Sequence, residues 1–336
     1  LAGPISDALG RRPPLLVGLT CYAAASLLCA VAPSIYALVA LRFLQGLSGA
    51  VGTVIAASTV RDLYAGAPAA RFYSRLMLVQ GLAPVLAPIL GGQLLRAGSW
   101  RDLFFVLSGL GLVLVPVVLF GFQETLPPER RRSGSLADTV RTYTRLARER
   151  SFMAYAVAGG LGFSAMFAYI SSSPFVLQNI YGVSPQGFSL IFGLNALGLV
   201  TMSQVNGQLV GRLPMRGLLG GGLAAVAAGG LVLLVVVVTG VGLPGVIPAL
   251  FVTVASVGLT MPNTTALALS AHPEAAGSAA ALLGVTQLTL GAVSAPLTGV
   301  GGGHTAVPAA AVIAGLGLIA LGVLLTLGRP RTAGPA

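Results

Sequence analysis

Long apolar runs, each followed by a short polar segment, recur along the whole chain. A helix needs about 20 apolar residues to cross the hydrocarbon of a bilayer, where every backbone N–H and C=O must be paired within the segment. The strands of a membrane barrel would alternate in polarity, but the run 231–238 is apolar throughout. The pattern therefore predicts an all-α membrane protein with ten transmembrane helices, at about residues 14–32, 35–60, 73–95, 102–121, 152–177, 187–210, 217–239, 243–268, 277–299 and 306–327.

The composition indicates that lipid, rather than water, is the solvent of this chain. Of its 336 residues, 55% are hydrophobic and only 8% are charged, with a mean hydropathy of +0.91. So few polar residues cannot cover the surface of a soluble globule. The first apolar run is of full spanning length and more runs follow it, so we do not expect a cleaved signal peptide. We expect a multi-pass protein whose main partner is the lipid bilayer.

The basic residues are distributed unevenly between the two sides of the predicted bundle. The net charge is +11, and all nineteen basic residues are Arg. If the polar segment 3–12 lies in the cytoplasm, sixteen of them fall on the inner side. Positive residues favour the cytoplasmic side, so this bias predicts a cytoplasmic (plasma) membrane protein with both ends of the chain inside. It also explains the basic charge without a nucleic-acid partner.

The residue types of this chain and their positions argue against several kinds of chemistry. The chain has no Lys for a P-loop or for a pyridoxal Schiff base. His272 and His304 fall in polar segments on opposite sides of the membrane and cannot form a metal pair. Gly220-Gly221-Gly222 lies inside an apolar run, where close helix packing is expected rather than a phosphate loop. We therefore predict no enzyme activity, no metal and no cofactor.

The longest polar segment divides the predicted helices into a group of four and a group of six. We predict an N-terminal bundle over 1–121, a cytoplasmic inter-bundle loop over 122–151, and a C-terminal bundle over 152–336. Apolar residues recur at helical intervals within the loop, with arginines on the other faces: Leu136, Val140, Tyr143 and Leu146. An amphipathic helix on the membrane surface fits this pattern, and a mobile basic linker is the alternative.

The two groups share a repeated spacing. Gly3, Ile5 and Arg12 recur as Gly207, Leu209 and Arg216, and Ala87-Pro88 with Gly91 recurs as Ala295-Pro296 with Gly299. Parallel repeats of this kind are typical of transporters built from two bundles. We interpret residues 3–12 as a loop between two membrane helices, and if each bundle has six helices, two further helices are expected before Leu1.

Several motifs of the first half resemble those of the major facilitator superfamily. Gly3, Ile5, Asp7, Gly10, Arg11 and Arg12 resemble its loop motif Gly-x-Leu-x-Asp-x-x-Gly-Arg-Arg, with Ile for Leu. Arg42-Phe43-Leu44-Gln45-Gly46 is similar to its fourth-helix Arg-x-x-Gln-Gly motif. The fifth-helix motif associated with antiporters resembles Gly81-Leu82-Ala83-Pro84, Pro88 and Gly91-Gly92.

Motifs of the second half look like those of the Bcr/CflA group of drug:proton antiporters. They are Ser173-Pro174-Phe175-Val176, Tyr181 to Pro185, Asn195, Asn206-Gly207, Pro262-Asn263 and Ala276 to Gly284, and Glu124-Thr125-Leu126-Pro127 fits as well. The resemblance implies twelve helices in two pseudo-symmetric bundles, alternating access, and export of small amphipathic or drug-like molecules in exchange for protons. An exporter of a specific metabolite or self-made antibiotic is one alternative. A non-transporting membrane sensor or a nonfunctional truncated product is another.

Arg42 is the one charge predicted deep within a span, roughly 12 Å from its outer end by helix rise. Such a charge is costly in lipid and normally faces the bundle interior. Snorkelling to the outer interface is the alternative. We predict that Arg42, with Gln45, takes part in proton or substrate binding.

The resemblance implies a gate at the inner surface. Asp7, Arg11 and Asp62 are candidates for a latch between the bundles, although a solvated topology signal also explains the arginines. The fifth-helix residues are expected to form a hinge or seal, with simple close packing as the alternative: Gly81, Pro84, Pro88, Gly91 and Gly92.

Polar and aromatic residues within the spans are candidates for a substrate cavity: Gln80, Phe167, Tyr169, Asn195, Asn263 and Gln287. Any of them can instead hold helices together by hydrogen bonds. No Asp or Glu is predicted deep in a span, whereas proton relays usually need a buried acid. We expect the coupling carboxylate to lie before Leu1.

Overall fold

The computed structural model describes residues 2–64, 72, 86–87, 90–96, 98–127, 129, 131, 136–270, 275–300 and 305–327. These residues are almost entirely helical, apart from one isolated bridge between Val210 and Leu213. The helices are α1 (Ala2–Leu9), α2 (Arg12–Ala30), α3 (Ile35–Leu63), α4 (Trp100–Gly121), α5 (Leu136–Arg148), α6 (Arg150–Pro174), α7 (Pro185–Leu209), α8 (Met215–Thr239), α9 (Leu243–Ser270), α10 (Ala276–Leu297) and α11 (Val307–Leu327). A π-helical turn, Phe175–Ile180, extends α6.

Within the described ranges, nine helical segments are long and apolar enough to cross a membrane. They coincide with nine of the ten predicted spans to within a few residues at each end. The tenth prediction, 73–95, falls on residues that are described only at 86–87 and 90–95. The prediction of an all-α membrane protein is confirmed.

The beginning of the chain differs from the prediction. Residues 3–12 were expected to form a loop, but α1 continues to Leu9 and only Gly10 and Arg11 separate it from α2. Gly10 has a φ of 92°, which lies outside the right-handed helical region and therefore ends α1. Glycine adopts this conformation easily, whereas residues with side chains rarely do. Prolines in the first turn of α2 do not interrupt it, since their missing N–H groups would be unpaired there anyway.

Serine side chains mark the beginnings of several spans. Ser34 accepts a hydrogen bond from the N–H of Ala37 at the start of α3, and Ser184 accepts one from the N–H of Gly187 at the start of α7. Ser99 begins α4 with a reciprocal capping box to Asp102. These caps pair N–H groups that would otherwise lack partners at a helix end.

The chain divides into two compact units, 1–139 and 140–336, and the division falls inside the segment predicted to join the bundles. In the first unit, α2 packs against both α3 and α4. Small residues let these helices approach closely, because a Cβ on Gly18 would lie 2.9 Å from Val51 Cβ, and one on Gly111 would lie 2.9 Å from Ala23 Cβ. Ser108 of α4 also donates a hydrogen bond to the carbonyl oxygen of Ala23, at 2.9 Å.

In the second unit, α6 packs against α9, α10 and α11, while α8 lies between α9 and α11. The predicted glycine run lies within α8 and forms helix contacts. A Cβ on Gly222 would be 2.8 Å from Thr260 Cγ2, and one on Gly230 would be 2.8 Å from Ala314 Cα. Such contacts are typical of membrane bundles, where close backbone approach supplies the packing energy.

The amphipathic segment forms a helix, α5, as one of the two sequence interpretations predicted. Leu146 is fully buried and belongs to a cluster with Phe152, Ala156 and Ala268. Three arginines lie on exposed positions of the same helix: Arg141, Arg145 and Arg148.

The crossing of α7 and α9 gives a direct test of this packing. A Cβ on Gly258 would meet the carbonyl oxygen of Leu199 and lie 2.8 Å from the N of Ser203, so backbone must move in a Gly258→Ala variant. Gly221→Ala in α8 is the matched control, since nothing lies within 4 Å of its added Cβ. We expect Gly258→Ala to lower the melting temperature in detergent, and Gly221→Ala to leave it unchanged or raise it. Equal melting temperatures would contradict this account of the packing.

Candidate functional site

A buried guanidinium group joins the first three helices of the first unit. Arg11 is 1% exposed and lies in the turn between α1 and α2. Its Nη1 donates to Asp7 Oδ1 at 2.6 Å and to Ser6 Oγ at 2.7 Å. Its Nε and Nη2 donate to the two carboxylate oxygens of Asp62, at 2.7 and 3.2 Å, near the end of α3. The three predicted latch residues are therefore assembled around one cation.

The environment of Arg11 keeps it charged. Burial alone would lower the pKa of Arg11, but the hydrogen bonds that it donates to Asp62 and Asp7, with the charges of both, raise it above its ordinary value. A buried cation that lost these partners would be left with an uncompensated desolvation cost. The position of Arg11 therefore depends on both carboxylates, and on Asp62 most because it pairs through two atoms.

Glu124, which follows α4, holds the backbone of the same turn. Its Oε1 accepts hydrogen bonds from the N–H of Arg11 at 2.8 Å and of Leu126 at 3.0 Å, and its Oε2 accepts one from the N–H of Arg12 at 3.1 Å. Glu124 was not among the site residues predicted from the sequence. The available signal was its place in the Glu-Thr-Leu-Pro segment, one of the motifs that carried the resemblance.

These contacts keep Glu124 ionised. Burial alone would raise the pKa of Glu124, but three backbone N–H donors and the charge of Arg131 lower it below its ordinary value of 4.5. The stabilisation from this carboxylate is therefore complete above pH 4.5 and declines only as the pH falls through the lower pKa of the folded state. The glycine at position 10 makes room for it, since a Cβ there would lie 2.5 Å from Glu124 Oε2.

Arg42 begins a polar chain between α3 and α2. Its Nη1 donates to Gln45 Oε1 at 2.6 Å, and Gln45 Nε2 donates to Ser26 Oγ at 2.6 Å. The Arg42 guanidinium also lies 5.6 Å from the ring centroid of Phe104 on α4, within cation–π range. The guanidinium is thus held by a neutral amide and an aromatic face, and Gln45 is almost fully buried.

Two of the predicted substrate residues form a pair in the second unit. Asn195 Nδ2 on α7 donates to the hydroxyl oxygen of Tyr169 on α6 at 2.8 Å, and the Tyr169 ring stacks on Phe192 at 5.7 Å. Tyr169 also lines a small cavity of about 20 Å³, together with Ser172, Ser173 and apolar residues of α8, α9 and α11. Asn195 Oδ1 is buried with no hydrogen-bond partner among the described residues, so this pair retains one unused acceptor.

A third predicted substrate residue, Asn263, is engaged in helix packing. Its Nδ2 donates to Asn206 Oδ1 at 2.5 Å and to the carbonyl oxygen of Leu259 at 2.8 Å. Both amides are buried where α7 crosses α9. This arrangement corresponds to the alternative in which an amide bridges two helices.

Phe167 and Gln287 both lie along the contact between α6 and α10, where Gln287 Cα is 3.6 Å from the position of a Cβ on Gly160. A Cβ on Gly291 would lie 3.2 Å from Phe167 Cγ, and Gln287 is one helical turn away from Gly291. Gln287 Nε2 is buried without a hydrogen-bond partner in the described part of the chain. Phe167 and Gln287 therefore lie on a different side of α6 from the contact between Tyr169 and Asn195.

The fifth-helix motif falls largely outside the described residues. Gln80, Gly81, Pro84 and Pro88 are not described, while Gly91 and Gly92 lie in the helical stretch 90–96. A Cβ on Gly91 would reach Leu103 Cδ2 at 3.9 Å, and one on Gly92 would meet nothing within 4 Å. The hinge or seal stays a prediction.

Among the described residues, no group of three or more His, Cys, Asp or Glu side chains has a metal-site arrangement.

The fold and these motifs agree with comparisons with known proteins. Residues 1–296 match the Major Facilitator Superfamily. The chain is 39% identical over 317 residues to the uncharacterized MFS-type transporter YdgK of Bacillus subtilis, covering 93% of this chain and 78% of that protein. It is 29% identical over 298 residues to a bicyclomycin resistance protein homolog of Haemophilus influenzae, covering 88% of this chain and 74% of that protein.

A solved structure shows the same fold. The chain superimposes on the xylose transporter XylE from E. coli, in a partially occluded inward-open conformation, with a TM-score of 0.70. The sequences are 14% identical, and the match covers 100% of this chain and 85% of the other. The molecule is a multi-pass membrane transporter rather than an enzyme, and this chain belongs to the Major Facilitator Superfamily.

The unequal exposure of the two carboxylates around Arg11 predicts unequal costs of neutralising them. The Asp62 side chain is 11% exposed and the Asp7 side chain is 41% exposed. We expect Asp62→Asn to cost about 3 kcal/mol of stability, as for a broken buried pair, and Asp7→Asn about 1 kcal/mol or less because of solvent screening. Thermal unfolding of the two purified variants in one detergent measures the difference. A larger loss for Asp7→Asn would show that the pairing does not determine stability here.

Proposed function

We propose that this protein is a secondary active transporter that exports small drug-like molecules by alternating access, in exchange for protons. Its family membership and its 29% identity to a bicyclomycin resistance protein homolog support export. The observation that carries the mechanism is the Arg11 cluster, which holds α1, α2 and α3 together at one end of the first unit and is reached by water at the Asp7 side chain. A latch for one transport state needs such a cluster.

The orientation in the membrane follows from the arginines. Sixteen of nineteen lie on the same predicted side as Arg11, so this side and both ends of the chain are assigned to the cytoplasm. The Arg11 cluster then lies at the cytoplasmic end of the first unit. In that place its charges are next to water, where their partial separation costs less than it would in the hydrocarbon.

Arg42 is assigned to proton or substrate binding. Its cationic head is held within a span by Gln45 and by the ring of Phe104, neither of which neutralises it. A cation held by neutral partners attracts an anionic group of a substrate, or lowers the proton affinity of a nearby acid. Gln45 and Ser26 fix its direction through two short hydrogen bonds.

The substrate surface of the second unit is assigned to two places on α6. One is the pair of Tyr169 and Asn195, and the other is the part of the contact between α6 and α10 that contains Phe167 and Gln287. Each combines an aromatic ring with a buried amide atom that lacks a partner among the described residues. A substrate that supplies the missing hydrogen bond would be favoured over one that leaves the amide unpaired.

Two alternatives make different predictions. An exporter of a single metabolite or self-made antibiotic would move one compound and reject unrelated ones. A non-transporting membrane sensor would bind a ligand without moving it. A panel of chemically unrelated compounds distinguishes the first alternative from drug export, and accumulation assays distinguish the second.

We expect proton coupling to be visible in energised membrane vesicles. Inside-out vesicles that contain the protein should accumulate a drug-like fluorescent substrate when a proton gradient is imposed. Dissipating the gradient with a protonophore should abolish accumulation, because export against a concentration gradient then has no energy source. Accumulation that persists without the gradient would argue against antiport.

The role of Arg42 can be tested against Arg101, which lies in the first turn of α4 over the Trp100 ring. We expect Arg42→Ala to reduce the export rate about tenfold or more, corresponding to a loss of about 1.4 kcal/mol, at unchanged membrane abundance. Arg101→Ala removes the same charge from the end of a span and should export normally. Full export by Arg42→Ala at normal abundance would remove this residue from the mechanism.

A further inference from the structure

We propose that Glu124 is a positioning residue of the transport cycle that acts through Arg11. Its carboxylate holds the N–H groups of Arg11 and Arg12 at the start of α2, and so determines where the Arg11 guanidinium meets Asp7 and Asp62. The proposal rests on the latch function proposed above. It assigns to Glu124 the control of that latch from the segment that leaves α4.

The first argument is the number and geometry of the bonds. Three peptide N–H groups converge on one carboxylate, at 2.8, 3.0 and 3.1 Å. Two of them lie at the N-terminus of α2, where unpaired N–H groups and the helix dipole favour a negative charge. Hydrogen bonds to an ionised acceptor are stronger than those between neutral groups. The carboxylate therefore fixes the backbone of this turn more firmly than an ordinary helix cap would.

The second argument is that the surrounding residues fit a carboxylate. Gly10 leaves the space that Glu124 Oε2 occupies, and Arg131 lies on the same side, with its Nη2 3.0 Å from the position of a Gly10 Cβ. An amide in place of the carboxylate would direct its own NH₂ group toward one of the N–H donors or toward the guanidinium of Arg131. A Gln side chain therefore preserves the size of Glu124 but only part of its bonding.

The third argument is the path along the chain. Glu124 follows the last residue of α4, Gly121, by three positions, and the Arg12 Nη2 group donates to the carbonyl oxygen of Leu119 in the last turn of α4. The end of α4 is thus joined to the start of α2 by two kinds of hydrogen bond. Glu124 accepts from backbone N–H groups at the start of α2, and the Arg12 side chain donates to a carbonyl oxygen of α4. Any displacement of the segment after α4 is transmitted to the backbone of Arg11, whose side chain holds α1 and α3.

A helix cap without a role in transport is the competing explanation. It predicts that loss of Glu124 lowers stability and changes export only in proportion to the amount of folded protein. Action through Arg11 predicts in addition that Glu124 and Asp62 are coupled, because both determine the position of the same guanidinium. A double-mutant cycle separates the two explanations.

The experiment compares Glu124→Ala and Glu124→Gln with the matched control Glu129→Ala, which removes an exposed acid from the same segment. We expect Glu124→Ala to reduce the export rate about tenfold per folded molecule, Glu124→Gln to fall between it and wild type, and the control to be unchanged. Formate, a free carboxylate of the same chemistry, should bind the vacated N–H groups and raise the melting temperature of Glu124→Ala but not that of wild type. Chloride at the same concentration serves as the control for ionic strength.

The coupling is measured by adding Asp62→Asn. We expect the fold loss in export caused by Glu124→Gln to be much smaller in the Asp62→Asn background than in wild type. Fold losses that simply multiply would overturn the proposal, as would a Glu124→Ala variant that formate does not stabilise. The melting experiment needs no transport substrate. A wild-type protein that moves no compound would therefore refute the proposed function, while the formate experiment still tests whether the Glu124 carboxylate holds the N–H groups of this turn.

Discussion

One buried cation determines how the first unit is held together. The guanidinium of Arg11 is almost completely removed from water, and it is tolerable there only because two carboxylates and a serine hydroxyl surround it. Those partners come from α1 and α3, while the backbone of Arg11 itself leads into α2. Three helices must therefore keep their relative positions for a single charge to stay compensated. Glu124 extends this constraint to α4 by pairing the backbone on either side of the same residue.

In the second unit, the described helices are held together by close backbone contact. Lipid offers apolar side chains nearly the same environment as another helix, so helices associate where small residues let them approach. Gly222 and Gly230 place α8 directly against Thr260 of α9 and Ala314 of α11. Buried amides such as Asn206 and Asn263 then add specific cross-links at one crossing. The described helices of the second unit are held together by many such contacts.

The sequence was sufficient for the spans because the physical rule behind them is local. Twenty apolar residues cross a bilayer wherever they occur, and nine described spans follow this rule. The grouping of Asp7, Arg11 and Asp62 was predictable only through the resemblance, since Asp62 is 51 residues from Arg11 along the chain. Glu124 was missed because it pairs with peptide N–H groups 112 and 113 residues away. Every residue except proline has such an N–H group, so the sequence does not show which ones a carboxylate will bind. The prediction of a loop at residues 3–12 was wrong. The polar residues of this segment lie on a helix, which ends only at the positive φ of Gly10.

The two units use different polar chemistry between their helices, and this difference indicates where movement is cheapest. Asn206 and Asn263 pair through neutral groups inside an apolar crossing, where separated amides would find no water to replace the lost bond. Arg11 and Asp62 pair beside a turn, and the partly exposed Asp7 shows that water reaches the edge of their cluster. The exposed Asp7 can exchange its bond to Arg11 for one to water at a modest cost, whereas the buried pair of Arg11 and Asp62 is costlier to separate. In the proposed alternating-access cycle, the charged turn of the first unit is therefore the expected switching point, and the neutral amide pair is expected to keep α7 and α9 together.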